Sequence, residues 1–392
     1  MIPALAPHRS ALRGAAWTEP LGIYVHIPFC VDRCTYCSFV TTRDNTLKPA
    51  VLDRLEQDIR TWGEDLDHPP VDTLYLGGGT PSVLEEADLE RLTQALRESF
   101  DLGSLREATL EANPGTLDED WLSTARGLGW DRISLGAQSL DDDLLARLGR
   151  IHSSVQVLDA LEEATHAGFK RISADLMVGI PGQRLEGVLE DAQRLVETGA
   201  EHLSIYMLDL DKNCPLKAQV DAGRLQLPSE NEVAEVYEAL QESLPRVGLQ
   251  PYEISNYAVP GQESVHNTRY WERRPYLGLG PSAASQLGIW RWTEGHVISA
   301  WAEARSEAEI QALSPLEALA EIPLLALRLH RGVDWAGVRQ LAAQMDLLPF
   351  VESWEAQMNP FLREGLLLRE GGWLRFSPRG MLLSNALFQL FV

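Results

Sequence analysis

The chain has 392 residues and a formal charge of −23 at pH 7, and its length predicts one large domain with a smaller one. So acidic a chain is poorly suited to binding nucleic-acid phosphates or an anionic membrane through a basic patch. No apolar run approaches the length of a transmembrane helix, and residues 1–20 contain no signal-peptide core. We therefore expect a cytoplasmic protein that binds no nucleic acid, is not an integral membrane protein and begins with a flexible tail, residues 1–20.

Residues 21–210 alternate between short β-branched segments and amphipathic helical segments. This alternation predicts repeated βα units around a parallel sheet, either a partial (βα)6 barrel or a doubly wound sheet. In both architectures, ligands bind at the carboxyl ends of the strands. The predicted strands are 22–27, 71–77, 107–113, 131–137, 171–179 and 202–208.

Polar and glycine-rich sequences fall at the ends of these strands. A cysteine cluster follows the first strand, and the sequence "GGGTPS" at Gly77–Ser82 follows the second. Glu111, Gln138 and Asp175 come at or near the ends of the third, fourth and fifth strands. Because all these positions share one edge of the sheet, the sequence predicts a single site there.

The pattern changes after residue 210. We predict a connecting segment at 211–300, which contains a helix at 229–246 and the aromatic-rich sequence "HNTRYWERRPYLGLGPSAAS". Residues 301–392 are predicted to form a mainly helical, winged-helix-like domain that ends in a hairpin and a terminal helix. Since the acidic charge disfavours DNA, this domain is expected to cover a site or to bind a protein.

The sequence "CVDRCTYC" places Cys30, Cys34 and Cys37 close together. In a reducing compartment, clustered cysteines indicate a metal site rather than disulfides. Structural zinc takes four ligands, and the spare ones would be His26 or the distant Cys214. An iron–sulfur cluster on three thiolates instead leaves one iron open to a ligand. We favour the cluster and expect Cys214 to be an ordinary loop cysteine.

The motifs "YVHIPFC", "LYLGGGTPS", "LEANPGT", "RISLGAQS", "LGRIHS", "DLMVGIPGQ", "YEISNYA" and "HNTRYW" follow one another through residues 24–271. Together they resemble the radical S-adenosylmethionine (SAM) superfamily, and within it the branch of oxygen-independent coproporphyrinogen dehydrogenase and the HemW-type heme chaperones. The resemblance implies a radical SAM partial barrel with a 4Fe-4S cluster on the three cysteines. SAM would bind the open iron, and one electron would cleave it to a radical.

The resemblance also implies which residues contact SAM. Small glycines let backbone amides approach the cofactor closely, an arginine suits its carboxylate, and acidic side chains suit its ribose hydroxyls and positive charges. The residues at the matching positions are Tyr24, Tyr36, Gly78, Gly79, Thr80, Glu111, Gln138, Arg150 and Asp175.

Two features separate the members of this branch. The dehydrogenase has a further cysteine two residues after the third, where this chain has Phe39. "HNTRYW" matches the H-N-x-x-Y-W pattern associated with heme in the HemW-type proteins, which implies His266 as an axial iron ligand beside Asn267, Tyr270 and Trp271. Many relatives carry a histidine where this chain has Ala284, so one heme contact is missing if that histidine lines the pocket.

Two hypotheses follow. The first is a heme chaperone that binds heme and transfers it to acceptor proteins, respiratory enzymes at the membrane among them, with a 4Fe-4S cluster, SAM and an electron donor. The second is a radical SAM enzyme that acts on a porphyrinogen. Phe39 and "HNTRYW" favour the first hypothesis, and neither decides whether SAM is cleaved.

Overall fold

The computed structural model describes residues 7–12, 19–210 and 214–391. Six strands pair in parallel and in chain order, which confirms the predicted partial barrel. The strands are β1 (Leu21–Ile27), β2 (Val71–Gly78), β3 (Glu107–Ala112), β4 (Arg132–Gln138), β5 (Arg171–Val178) and β6 (His202–Met207). The barrel helices are α2 (Lys48–Asp65), α3 (Glu86–Ser99), α4 (Glu119–Gly127), α5 (Asp142–Leu148), α6 (Ser154–His166) and α7 (Leu185–Glu197).

Local sequence explains where these elements begin and which side they bury. In β1, the apolar Ile23, Val25 and Ile27 are fully buried under the helices, while the alternate positions face the barrel interior. Helix α6 begins at a capping box, in which Ser153 and Gln156 each bind the other's backbone amide. Side-chain caps of this kind replace the hydrogen bonds that the first turn of a helix lacks.

The sheet continues beyond the barrel on both edges. Its full order is β12-β11-β10-β9-β1-β2-β3-β4-β5-β6-β8-β7, and β9 runs parallel to β1 with Tyr276 opposite Gly22. Most of these added strands lie in the predicted connecting segment. They are β7 (Gln250–Pro251), β8 (Asn256–Ala258), β9 (Tyr276–Leu279), β10 (Ala284–Leu287), β11 (Trp290–Thr293) and β12 (Glu309–Ala312). The helices among them are α8 (Pro215–Asp221), α9 (Glu230–Ser243), α10 (Val265–Trp271) and α11 (Ile298–Ala302).

The carboxyl-terminal part has its own core, which contains Trp335, Trp354, Phe376 and Phe388. Its small sheet has the order β13-β15-β14, and the predicted hairpin is present as the antiparallel pair β14 and β15. The elements are β13 (Val333–Asp334), β14 (Leu367–Glu370), β15 (Trp373–Phe376), α12 (Pro315–Ala326), α13 (Trp335–Gln344), α14 (Leu348–Arg363), α15 (Pro378–Leu382) and α16 (Ser384–Phe388).

Helix α10 lies across the amino-terminal end of the barrel. The carboxylate of Glu107, at the start of β3, accepts hydrogen bonds from the backbone N–H groups of Val265 (2.8 Å) and His266 (3.0 Å) at the beginning of this helix. A negative charge is favourable there because it satisfies free amides at the positive end of the helix. Farther along α10, the buried Arg269 forms an ion pair with Asp72 at the start of β2. These contacts hold α10 as a plug in the barrel.

Part of the predicted flexible tail is helical. Residues 7–12 form helix α1 (Pro7–Leu12), in which Leu12 is buried and the Arg9 guanidinium lies 4.3 Å from the ring centre of Trp62. Burial of Leu12 and this cation–π contact attach the helix to the barrel, and the flexibility of the tail stays a prediction. The remainder of the predicted tail, 1–6 and 13–18, lies outside the described residues. Within the described ranges, none of the helices has both the length and the apolar character needed to span a bilayer.

Candidate functional site

The cysteine loop follows β1 and is closed at its base. The backbone N–H of Thr42 donates to the carbonyl of Pro28 (2.7 Å), and that of Cys30 donates to the carbonyl of Thr42 (3.0 Å). Within the loop, the N–H of Cys37 donates to the carbonyl of Cys34 (3.2 Å). All three cysteines are free thiols and partly exposed, so they are available as ligands at the barrel rim.

Polar side chains from two other loops, after β2 and after α5, contact two of these thiols. The hydroxyl of Thr80 donates to Sγ of Cys30 (3.6 Å), and Nη1 of Arg150 donates to Sγ of Cys34 (3.4 Å). Burial raises the pKa of the Cys30 and Cys37 thiols, and a bound metal reverses that effect because it binds the thiolate form. Among the described residues, no three His, Cys, Asp or Glu side chains converge on one metal ion. An iron–sulfur cluster does not require its cysteine side chains to meet at one metal ion, because each thiolate binds a different iron.

The glycine-rich loop after β2 lies directly against the cysteine loop. The N–H of Gly79 donates to the carbonyl of Ile27, and that of Thr80 donates to the carbonyl of Phe29, both at 2.8 Å. A side chain at Gly79 would come within 2.7 Å of the Phe29 carbonyl oxygen. Gly78 has a left-handed backbone (φ 108°), and a side chain there would collide with the ring of His26. Only glycine fits both positions, because the backbone of this glycine cradle packs directly against His26 and the start of the cysteine loop.

Two carboxylates from the predicted set face the barrel interior. Glu111 accepts hydrogen bonds from the hydroxyl of Tyr75 (2.7 Å) and the N–H of Gly78 (2.9 Å), and burial raises its pKa. Burial and the nearby charge of Glu111 raise the pKa of Asp175 to about 7. Asp175 can therefore lose its proton when a cation binds near neutral pH.

Arg150 and Gln138 meet above Gly136 on β4. Nη2 of Arg150 donates to the carbonyl of Gly136 (2.6 Å), while its buried Nε has no hydrogen-bond partner in the described part of the chain. Gln138 is buried with a left-handed backbone (φ 69°), which costs a non-glycine residue about 1 kcal/mol or more and is concentrated at functional sites. Tyr36 packs nearby, beside the core residue Leu148. The unpaired Arg150 nitrogen fits an anionic group bound at this rim.

The structure places His266 differently from the predicted axial ligand. Its side chain is 1% exposed, Nδ1 lies 2.9 Å from the Thr73 hydroxyl, and Nε2 lies 2.8 Å from the Tyr270 hydroxyl. Burial lowers its pKa to about 3, so the ring is neutral. Both ring nitrogens are therefore hydrogen-bonded inside the barrel plug, and the role of His266 as an axial ligand stays a prediction. Sequence could not show this, because Thr73 is 193 positions away.

An aromatic cleft of about 400 Å³ opens beside the plug, between α10, α12 and the added strands. Its volume and largely apolar walls are typical of small-molecule sites. Tyr24 on β1 connects this cleft to the barrel interior, where its ring lies 6.0 Å from that of Tyr75. Of the predicted heme set, Tyr270 and Trp271 line the cleft, whereas His266 and Asn267 do not. The lining residues are Tyr24, Tyr270, Trp271, Tyr276, Ser282, Ala284, Gln286, Arg291 and Leu325.

Several residues that line the cleft or support its neighbours were absent from the predicted site. Tyr276 and Arg291 line the cleft, while Thr73, Tyr75 and Glu107 support α10 or Glu111 from the strands. The density of aromatic residues in 266–285 was the one sequence signal for the cleft. The sequence contains no such signal for the supporting residues, since each occupies an ordinary position in a predicted strand.

The fold and the three-cysteine loop define a radical SAM protein: residues 24–195 match the Radical SAM superfamily, which implies a 4Fe-4S cluster and SAM. The chain is 33% identical over 377 residues to the heme chaperone HemW of Lactococcus lactis, covering 95% of this chain and 98% of that protein. It is 34% identical over 399 residues to HemW of Mycobacterium tuberculosis, covering 98% and 96%. Within the superfamily, it therefore belongs to the HemW family.

Two other relatives widen this picture. The mouse mitochondrial radical S-adenosyl methionine domain-containing protein 1 is 32% identical over 392 residues, covering 93% of this chain and 86% of that protein. The solved structure of coproporphyrinogen III oxidase (HemN) from Escherichia coli superposes with a TM-score of 0.82 at 24% identity, covering 95% and 90% of the two chains. At that identity the likeness establishes the fold, and the full-length HemW relatives favour the chaperone hypothesis over the enzyme.

Proposed function

We propose that this protein binds heme reversibly in the aromatic cleft and passes it to acceptor proteins. The observation that carries the proposal is the cleft itself, in which three tyrosines and Trp271 surround an apolar space, and one of them, Tyr24, lies between this space and Tyr75 in the barrel interior. Flat aromatic walls suit a porphyrin ring. Relatives that match nearly the whole chain are named heme chaperones. Proteins that accept heme, respiratory enzymes at the membrane among them, are the expected partners, and the cytoplasm is the expected compartment.

In this proposal, Cys30, Cys34 and Cys37 hold the 4Fe-4S cluster, and SAM lies between the glycine cradle and Arg150. The cluster and SAM together supply one-electron chemistry when a donor protein reduces the cluster. Thr80 and Arg150 orient the thiolates through the contacts to Cys30 and Cys34. Gly78 and Gly79 bring the backbone after β2 close to the cysteine loop, where the cofactor would bind, while Glu111 and Asp175 meet its hydroxyl and positive groups. Tyr36 and Gln138 complete this rim.

The heme site that we propose differs from the one expected from sequence. Because both nitrogens of His266 are engaged, we propose that His266 positions Tyr270 rather than binding iron. Heme would then be held mainly by its ring faces against Trp271 and the tyrosines. Binding without a strong protein ligand suits a carrier, since such a heme is readily released to an acceptor.

A heme titration of the anaerobically reconstituted protein tests the proposal. We expect the wild type to bind one heme with a dissociation constant of about 1 μM or below, equivalent to roughly 8 kcal/mol. Trp271→Leu should weaken binding by about tenfold or more, since it removes an aromatic wall. Trp373→Leu is the matched control, because Trp373 is exposed on β15, in the terminal hairpin. Coproporphyrinogen decarboxylation without stable heme binding would instead identify an enzyme.

A further inference from the structure

Three charged side chains from different elements meet at the edge of the aromatic cleft. Glu321 on α12 is paired at both carboxylate oxygens: Oε2 lies 2.8 Å from Nε of Arg273, and Oε1 lies 3.1 Å from Nη1 of Arg291. Arg273 follows α10, and Arg291 lies on β11. The side chain of Glu321 is 11% exposed, whereas that of Arg291 is 36% exposed. These three side chains, Glu321, Arg273 and Arg291, form a charged triad. The triad is anchored in the protein at Glu321 and accessible to a ligand at Arg291.

The charges of this triad do not balance. Two guanidinium groups share one carboxylate, which leaves one positive charge at a largely apolar cleft in a chain whose net charge is −23. The other recorded partner of Arg291 is neutral, since its Nη2 donates to Oε1 of Gln286 (3.2 Å). An uncompensated charge in a partly dry site is costly until an opposite charge binds.

The two arginines of the triad also have N–H groups that form no hydrogen bond to the described residues. Nε of Arg291 and Nη2 of Arg273 are buried and have no hydrogen-bond partner among the described residues. A guanidinium has five N–H donors; one on Nη2 of Arg291 binds Gln286, while Nη1 forms the ion pair with Glu321. The remaining donors form the fork that binds a carboxylate through two bonds.

The position of Arg291 defines what such a carboxylate must be attached to. Arg291 lines the same cleft as Trp271, Tyr276 and Leu325. Leu325 lies one helical turn after Glu321 on α12, so the apolar wall and the anchor of the arginine share a helix face. A ligand that contacts both must have a flat apolar body and an acidic group at its edge.

We infer that Arg291, held by Glu321, is a specificity-determining residue that binds a carboxylate substituent of the flat ligand in the aromatic cleft. The inference rests on the proposed function, under which that substituent is a heme propionate. Glu321 acts as a positioning residue, because it fixes Arg291 without contacting the ligand, and Arg273 supplies the second positive charge of the triad.

Titration with heme and with its dimethyl ester, in which both propionates are neutral, tests this inference. The wild type should bind heme at least tenfold more tightly than the ester. Arg291→Gln should bind both ligands equally, with unchanged affinity for the ester, because only the carboxylate contact is lost. Arg305→Gln is the matched control, since Arg305 is exposed and paired with Glu303 away from the cleft.

Each outcome has a distinct meaning. A preference for heme that survives in Arg291→Gln, or a wild type that binds both ligands equally, overturns the role of Arg291 and leaves the proposed function standing. A wild type that binds neither ligand overturns both. If Arg291→Gln does not fold, Arg291→Lys carries the test: it keeps the charge but loses the fork, so the preference should fall and not vanish. An unchanged preference in the lysine variant would contradict the inference.

Discussion

The hydroxyl of Tyr24 lies 3.0 Å from Nδ1 of His26, and the opposite ring nitrogen of His26 lies 2.9 Å from the carbonyl of Val40. The same ring fills the space beside Gly78. Tyr24 lines the aromatic cleft, Gly78 belongs to the glycine cradle, and Val40 follows the three cysteines. One buried imidazole thus contacts the cleft and both loops of the proposed SAM site.

This contact predicts that SAM and heme affect each other's binding. We expect SAM to change the heme affinity of the wild type by about fivefold or more, with the reciprocal effect of heme on SAM. Tyr24→Phe keeps the ring and removes the bond to His26, so it should reduce this coupling while leaving each single affinity nearly unchanged. Heme titrations with and without SAM measure it. Identical coupling in both proteins would show that the hydrogen bond does not connect the sites.

The cysteine loop predicts the metal content. Cys30→Ala, Cys34→Ala or Cys37→Ala should abolish the broad absorption near ~400 nm and the roughly four irons per chain of a thiolate-bound cluster. Cys214→Ser should retain both, because Cys214 caps α8 by accepting from the N–H of Lys217 (3.5 Å) and serine is a good cap. Stoichiometric zinc without sulfide in the wild type would rule out the cluster.

Asp175 predicts a pH dependence for SAM binding. Its pKa of about 7, raised mainly by burial, means that it is largely protonated below pH 7 and ionised above it. A ligand with ammonium and sulfonium charges binds the ionised form, so binding releases a proton and tightens as pH rises to about 7, then levels off. Equilibrium binding at pH 6 and pH 8 tests this. Asp175→Asn should remove that part of the dependence, and an unchanged profile would exclude Asp175 as its source.

The engaged nitrogens of His266 predict its effect on heme. His266→Ala and Tyr270→Phe each break the bond between the two side chains, so both should weaken heme binding, and the double variant should lose less than the sum of the two. The axial-ligand bands of bound heme should be the same in wild type and His266→Ala. Loss of a histidine-ligated spectrum in His266→Ala would show that the ring turns to bind iron.

Ala284 predicts a gain of function. It is exposed in β10 and lines the cleft, so a histidine there would place an imidazole against the proposed heme. Ala284→His should tighten heme binding by about tenfold and shift the Soret band, because it adds an axial ligand. Gln311→His on the exposed strand β12 is the control and should change neither. No spectral change in Ala284→His would place heme elsewhere.

The barrel and its rim could be predicted because their signals are local. Each strand carries its own apolar pattern, and the ends of parallel strands meet at one edge whatever their distance in sequence. Glu111 and Asp175 could therefore be assigned to one site before the structure. The cleft could not be predicted, since it depends on the pairing of β9 with β1, in which Tyr276 lies opposite Gly22. No local sequence pattern encodes that pairing.

The plug formed by α10 makes the barrel a blind-ended chamber. Arg269, buried against Asp72, and Glu107, bonded to the first turn of the helix, close the end opposite the cysteines. Moving α10 away from that end would separate Arg269 from Asp72 and leave a buried charge without its partner, which costs several kcal/mol. The cysteine-bearing mouth is then the open end of this chamber. A spent cofactor would therefore have to leave by the route through which it entered, before the next one could bind.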